Sequence, residues 1–312
     1  LRRWAQEWKP SHLDVARNSL ILAQAAALMG GFVVGFVCDF WRYFHQFSYA
    51  TWMLPFTMIM WGSMTTVETD KLNWILSKCM DMGVSAASGI AQRFADHVCD
   101  QFQAMMDDWE DTWWKTCTNE ELLKWRQQRI ELGKVTKKRE DRLVHVLVYT
   151  DDPKIDCASN EHCIAALQIW RIVTRSWNVI LASIDKCSIG AANKWCGMLH
   201  YSCFALAVIP MSKQVKLMSQ LKIAASGVLQ QGEEYHSLLG KLNYYLPMVA
   251  STSLEVQGLL AMLWRQLKMK PQAVHRTAWR FKLSKDQSER LGYIRDKVAE
   301  CPGVSCTTVI QK

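Results

Sequence analysis

The chain has 312 residues, half of them hydrophobic, with 37 Lys and Arg against 29 Asp and Glu and a formal net charge of +8. That length buries two or three subdomain cores, and the basic balance favours polyanionic partners through counterion release without proving one. Eleven cysteines, with no Cys-x-x-Cys pair, argue against a disulfide scaffold and for a reducing intracellular compartment, cytoplasm or nucleus. Cys157/Cys163 and Cys301/Cys306 are too loosely spaced to suggest zinc.

Residues 1–30 read as helical. From Ser19 to Val37 only Gln24 is strongly polar, with Arg2, Arg3 and Arg17 on the N-terminal side. That run is long enough to span a bilayer, and Tyr49–Met60 is a second apolar stretch. A buried helix over Asn18–Met29, a turn at Gly30-Gly31 and a central strand ending at Asp39 explain the same letters. The arginine-rich start continues through a polar stretch, which does not fit a cleavable leader.

Residues 31–62 read as strand, short helix and strand, with Pro55 interrupting Trp52–Trp61. Asp70–Met80 reads as a helix, because Leu72, Ile75, Leu76 and Cys79 share a face. Ser85–Trp114 is a long helix with an expected break near Asp107-Asp108; those acids, with Glu110 and Asp111, read as a solvated surface. Thr118-Asn119-Glu120-Glu121 fits a capping box for a helix through Leu132, with Gly133 at its end. Lys134–Arg142 is a basic loop, either solvated or touching template phosphates.

Leu143–Tyr149 is a β-branched, aromatic strand, and Pro153 after the acids suits a turn better than a continuing ladder. Cys157–Val179 reads as a helix with Ile164, Leu167, Ile169, Trp170 and Val173 facing a sheet. Short strands flank Lys186 and Gly197. Helices follow over Met211–Ala225, Glu233–Leu246 and Ser253–Leu267, and a polar tail without a clear core begins at Pro271.

Two apolar strands therefore close on acids, one at Asp39 and one at Asp151-Asp152. An acidic pair at a strand-to-strand turn is costly unless something positive sits opposite. Two divalent ions holding the attacking and leaving oxygens of a phosphoryl transfer are one solution. A solvated Asp-Asp turn is the plain alternative.

The order of these motifs resembles the palm of a reverse transcriptase. Motif A is an Asp on a strand with an aromatic five residues on, as in Asp39 and Phe44. Motif B is a Gly, then a Ser, then a helix, as in Gly83 and Ser88. Motif C is Tyr149-Thr150-Asp151-Asp152. Lys186 resembles the motif D lysine, and Trp195-Cys196-Gly197 the primer grip. Met211–Leu217 and Leu238-Leu239-Gly240-Lys241-Leu242-Asn243 are similar to a retrotransposon thumb.

The resemblance covers roughly residues 30 to 250 and implies an α+β right hand. Its parts would be a partial fingers segment at 1–30, a palm at 31–205, a helical thumb at 206–270 and a tail at 271–312. The implied activity is template-directed DNA synthesis using Mg²⁺, with Mn²⁺ as substitute, on an RNA or DNA template with primer and deoxynucleoside triphosphates. Neither an obligatory protein partner nor a membrane is expected.

By the same resemblance, Asp39, Asp151 and Asp152 are catalytic and bind the metals, with the Phe40 carbonyl assisting. Phe44, Gly83, Ser88, Gln92, Tyr149 and Lys186 would meet the nucleotide, Phe44 as the gate against a 2′-hydroxyl. Trp195, Gly197, Lys213, Lys216 and Lys241 would meet primer and template.

The chain departs from the pattern in places. Asp81-Met82 stand where Pro-Gln is usual before the motif B glycine, and Ser88-Gly89 stand for Ser-Pro. The spacer between motifs B and C is long. Lys and Arg of fingers strands are not found in residues 1–30. Alternative readings are therefore a truncated or decayed palm that binds nucleic acid without catalysis, and a membrane protein.

Overall fold

The computed structural model describes residues 10–48, 58–61, 73–76, 79–80, 87–245, 258, 261–262, 280–300 and 303–305. Gly83, Pro55 and most of Ser253–Leu267 lie outside them. The chain divides into two compact units, residues 1–10 with 24–191 and residues 11–23 with 192–312. The division falls earlier than the palm boundary expected at residue 205. Helix α1 (His12–Leu28) gives its first part, through Ala23, to the second unit. Among the described residues, no helix is long and apolar enough to cross a membrane.

In the first unit the chain runs through β1 (Val34–Val37), a 3-10 turn (Tyr43–Gln46), β2 (Met58–Trp61) and β3 (Asn73–Leu76). The helices α2 (Ala87–Thr116) and α3 (Glu120–Thr136), the hairpin β4 (Val144–Tyr149) and β5 (Asp152–Cys157), α4 (Asn160–Ser176) and β6 (Ser188–Gly190) follow. Four strands form an antiparallel sheet in the order β4-β5-β1-β6. Val34, Phe36, Cys38 and Phe40 alternate onto one face, where Val144, Val148, Ile155 and Cys157 join them. Against that face, α2 buries Ala91, Ala95, Val98, Phe102 and Met106 at helical spacing, and α4 buries Ala166, Ile169, Trp170 and Val173. The small residues of α2 let the helix lie close to the sheet.

Several expectations are corrected. Asn73–Leu76 is a strand paired with β2, not part of a helix over Asp70–Met80. The apolar spacing there spans too few residues to tell the two periods apart, and Trp74 and Ile75 suit a strand. Helix α2 runs unbroken through Asp107-Asp108. Helix α3 starts with Asn119 accepting the Leu122 N–H, then passes Gly133 and ends at Lys137 with φ 56°. Gly133 serves close approach instead: a Cβ there would meet the Lys138 carbonyl oxygen at 2.6 Å.

Ile164 is 59% exposed, and its neighbour Cys163 takes the inward position. Pro153 lies within β5, where its carbonyl accepts the Cys38 N–H, so the ladder continues with one donor missing. The acids read as a solvated surface divide: Asp108 and Asp111 are exposed, as expected, whereas Asp107 is half-buried and Glu110 buried. Arg142 holds Asp107 at 2.8 Å and Arg139 holds Asp111 at 2.7 Å, so two arginines of the basic loop are engaged within the protein.

Glu110 is fully buried, and both carboxylate oxygens accept the Leu143 N–H at 3.1 Å. Burial pushes its carboxyl from the ordinary 4.5 up to about 8, against the pull of that bond and of Arg139. The folded chain thus holds this proton more tightly than the unfolded one. Stability is unaffected below about pH 4.5 and falls as pH rises through 8. Urea unfolding at pH 9 is expected to give on the order of 2 kcal/mol less stability from this group than at pH 5. Glu110→Gln should remove that part of the slope; an unchanged slope would contradict the assignment.

The second unit contains β7 (Ala192–Trp195), β8 (Met198–Tyr201), β9 (Leu206–Val208), α5 (Met211–Ala225), β10 (Leu229–Gln231) and α6 (Gly232–Tyr245). After them come β11 (Arg280–Lys282), α7 (Lys285–Glu300) and β12 (Gly303–Ser305). Its sheet has the order β12-β9-β8-β7, and β10 pairs with β11. Leu217 and Leu221 of α5 and Leu238, Leu239 and Leu242 of α6 share a core with Leu291, Ile294 and Val298 of α7. The tail after Pro271 therefore carries core residues, contrary to expectation. Its many charges hid an apolar position every three or four residues.

Candidate active site

Strand β1 ends at Val37, which faces Lys154, and the pairing continues past the strand. Cys38 donates its N–H to the Pro153 carbonyl at 3.3 Å, and Phe40 donates to the Asp151 carbonyl at 3.0 Å. Asp39 therefore stands opposite Asp152, with Asp151 one residue further into the β4–β5 turn. On its other side, Asp39 is anchored by its carbonyl, which accepts the Ala182 N–H at 2.7 Å. All three acids are half-buried. The negative charges of Asp39 and Asp152 help to raise the buried Cys38 thiol, after burial and Cys187, and Asp151 helps to raise the Tyr43 hydroxyl. Three acidic residues thus lie at one end of the sheet.

The turn that carries two of them is held from below. Tyr149 faces Asp152, and Thr150 takes a left-handed φ of 58°. Gln92 of α2 is completely buried and accepts the Thr150 N–H at 2.8 Å. The expectation that Gln92 meets the nucleotide is corrected: without exposed surface, it reaches the site only through this turn. Ser88, in the first turn of α2, is exposed, and Tyr149 is 37% exposed beside the acids.

Lys186 places its ammonium 3.4 Å from Asp39, with 57% of the lysine side chain exposed, so this pair contributes under about 1 kcal/mol. Phe44 is half-buried in the 3-10 turn after Asp39, against the ring of Tyr43. Tyr43 is the fully buried ring of that turn, and its hydroxyl donates to the Ala91 carbonyl at 2.9 Å. Phe40 is buried and stacks parallel to Trp170 at 6.1 Å.

Lys154 and Asp156 form a buried ion pair at 2.6 Å on the sheet face that carries Asp39 and Asp152. Sequence reasoning missed it. The signal was present, since Asp152, Lys154 and Asp156 alternate with the apolar Pro153, Ile155 and Cys157 along the strand.

The remaining candidates lie in the second unit. Cys196 and Gly197, with φ of 43° and 83°, make the two-residue turn between β7 and β8. Lys213 donates to the Gly197 carbonyl at 3.3 Å, and Lys241 to Gln220 at 3.0 Å, whereas Lys216 is exposed. Trp195 is 1% exposed, which corrects its assignment to primer contact; a buried ring offers no face to a base.

Trp195 packs instead against His12 and His200. His12 bridges His200 and Tyr244 at 3.0 Å each, and the Tyr244 hydroxyl donates to the Cys196 carbonyl. Burial lowers His12 to about 4, and the neutral ring, with one donor and one acceptor, suits that bridging place.

Hard carboxylate oxygens are the donor chemistry of Mg²⁺ and Mn²⁺. Among the described residues, no three His, Cys, Asp or Glu side chains are grouped closely enough to hold an ion by themselves. Mg²⁺ does not require such a cage; it commonly takes one or two carboxylates, with waters and substrate phosphates completing six positions. Asp39 opposite Asp152 meets that smaller requirement, and Lys186 beside Asp39 shows the place accepting positive charge.

A scan against models of known protein families finds no match, and no curated protein matches the chain. Among solved structures, the chain is similar to the foamy viral protease-reverse transcriptase dRH in complex with double-stranded DNA, with TM-score 0.49 and 9% identity. The foamy viral protease-reverse transcriptase in complex with double-stranded DNA gives TM-score 0.46 and 11% identity. Each alignment covers 87% of this chain, but only 36% and 43% of the respective solved chains.

Proposed function

We propose that this chain is the palm-containing part of a reverse transcriptase, extending a primer on an RNA or DNA template by nucleotidyl transfer. The observation that carries the reading is the placement of Asp39 across from Asp152, with Asp151 in the turn beside them. Acids brought from two sequence regions to one sheet end favour cations, and phosphoryl transfer is chemistry that uses them there.

In this reading Asp39 and Asp151 would hold two Mg²⁺ ions, and Asp152 and the Phe40 carbonyl would assist. When bound, the ions lower the pKa of a primer 3′-hydroxyl and neutralise charge on the leaving pyrophosphate. The residues around them orient and exclude. Phe44, on the turn after Asp39, would lie under the nucleotide sugar and favour deoxynucleotides by steric cost. Lys186 would give up Asp39 when a cation is bound and would donate a proton from its ammonium to the leaving group. In the second unit, Gly197, Lys213, Lys216 and Lys241 meet primer and template, the lysines through phosphates.

Primer extension on an RNA template with Mg²⁺ or Mn²⁺ tests this. The unaltered chain should extend, and the Asp151→Asn, Asp152→Asn variant should not. A folded chain that binds primer-template with the usual salt dependence yet never extends would instead establish a nucleic-acid-binding palm without catalysis.

A further inference from the structure

We infer that Gln92 is a positioning residue for the carboxylate turn, setting Asp151 and Asp152 against Asp39; this deepens the metal-binding reading and rests on it. The amide of Gln92 is fully committed to that turn. Its Oε1 accepts the Thr150 N–H at 2.8 Å, and its Nε2 donates to the Val148 carbonyl at 3.1 Å and to Asp96 Oδ1 at 2.8 Å. Only one orientation of the amide satisfies these partners. A carbonyl and a carboxylate both accept, so the nitrogen faces them, and the oxygen is left for the one donor.

Thr150 is the residue in the turn that most needs holding. It is β-branched and sits at φ 58°, a conformation that such residues rarely adopt. Relaxation of Thr150 toward extended backbone would swing the next two residues, Asp151 and Asp152. Asp39 would not follow, because its carbonyl is bonded to Ala182. The strand edge beneath is thus clamped at the residue before the acids, by a side chain with no exposed surface.

Helix α2 supplies its own control. Eleven positions along, Gln103 repeats the device, donating to the Val144 carbonyl at 3.2 Å and to Asp107 at 3.0 Å. It holds the same strand at the end remote from the acids. A merely structural role would make the two glutamines equivalent.

The test compares Gln92→Met and Gln103→Met in the full chain by Thr150 amide exchange and by Mn²⁺ titration with electron paramagnetic resonance. Gln92→Met is expected to expose the Thr150 amide and to weaken Mn²⁺ binding about tenfold, whereas Gln103→Met leaves both within about twofold. If Gln92→Met does not fold, Asp96→Asn, which frees the orientation of the amide, should move both readouts in the same direction. Unchanged Mn²⁺ affinity in a folded Gln92→Met, or an equal loss in Gln103→Met, overturns the positioning role. An unaltered chain that binds no Mn²⁺ overturns the metal reading and the positioning role with it. An unchanged Thr150 amide shows instead that the clamp itself is wrong.

Discussion

Asp39→Asn is expected to reduce single-turnover primer extension by about 10²–10³-fold, the scale seen when one preorganised electrostatic group is lost from a reacting centre. The fold should survive the change. Asp39 is half-buried, its pairing with Lys186 is exposed, and its backbone bonds through Phe40 and Ala182 do not involve the side chain. Asparagine keeps the shape and removes one of two facing negative charges, so the unfolding free energy should stay within about 1 kcal/mol. Rapid-quench extension beside urea unfolding measures both. Full extension by a folded Asp39→Asn chain would end the assignment of this acid to the metal site.

Lys154→Met should act in the opposite way, on stability first. The Lys154 ammonium and the Asp156 carboxylate are 1% and 5% exposed and 2.6 Å apart. Removing the lysine leaves a buried carboxylate without its cation, which typically costs about 3–5 kcal/mol. Relief by movement is blocked on one side, because Asp156 sits where a Cβ on Gly35 would be. The Lys154→Met, Asp156→Asn double variant removes both charges and should recover most of the loss. Urea unfolding of the two single variants and the double one gives the coupling directly. Additive losses would mean that the pair is not a unit.

What the letters made legible was local. The strand ending in Asp39 and the Tyr149–Asp152 turn are short apolar runs closed by acids, and such a run with a terminal charge is visible without a fold. Helix α5 was expected over its observed bounds, Met211–Ala225, because its apolar positions repeat over four turns. What escaped depends on partners distant in the chain. Gln92 reads, by the resemblance, as a nucleotide contact until Thr150, fifty-eight positions away, is placed above it. Arg139 and Arg142 read as free cations until α2 brings Asp107 and Asp111 beside them. The strand at Asn73–Leu76 was misread because four residues carry too little periodicity to decide, and its pairing with Met58–Trp61 settles the matter. Trp195 reads, by the resemblance, as a primer contact, since nothing in its neighbours announces that His12 and His200 enclose it.

Strand β4 lies at the margin of its sheet, with β5 on one side only. A margin of that kind ordinarily invites a foreign strand, and with it aggregation or exchange between copies. Here the outward carbonyls of Val144 and Val148 are taken by Gln103 and Gln92, and the outward Thr150 N–H by Gln92. A visiting strand would have to break these bonds before making its own. The same amides that bond the carboxylate turn therefore make this border a poor template for self-association.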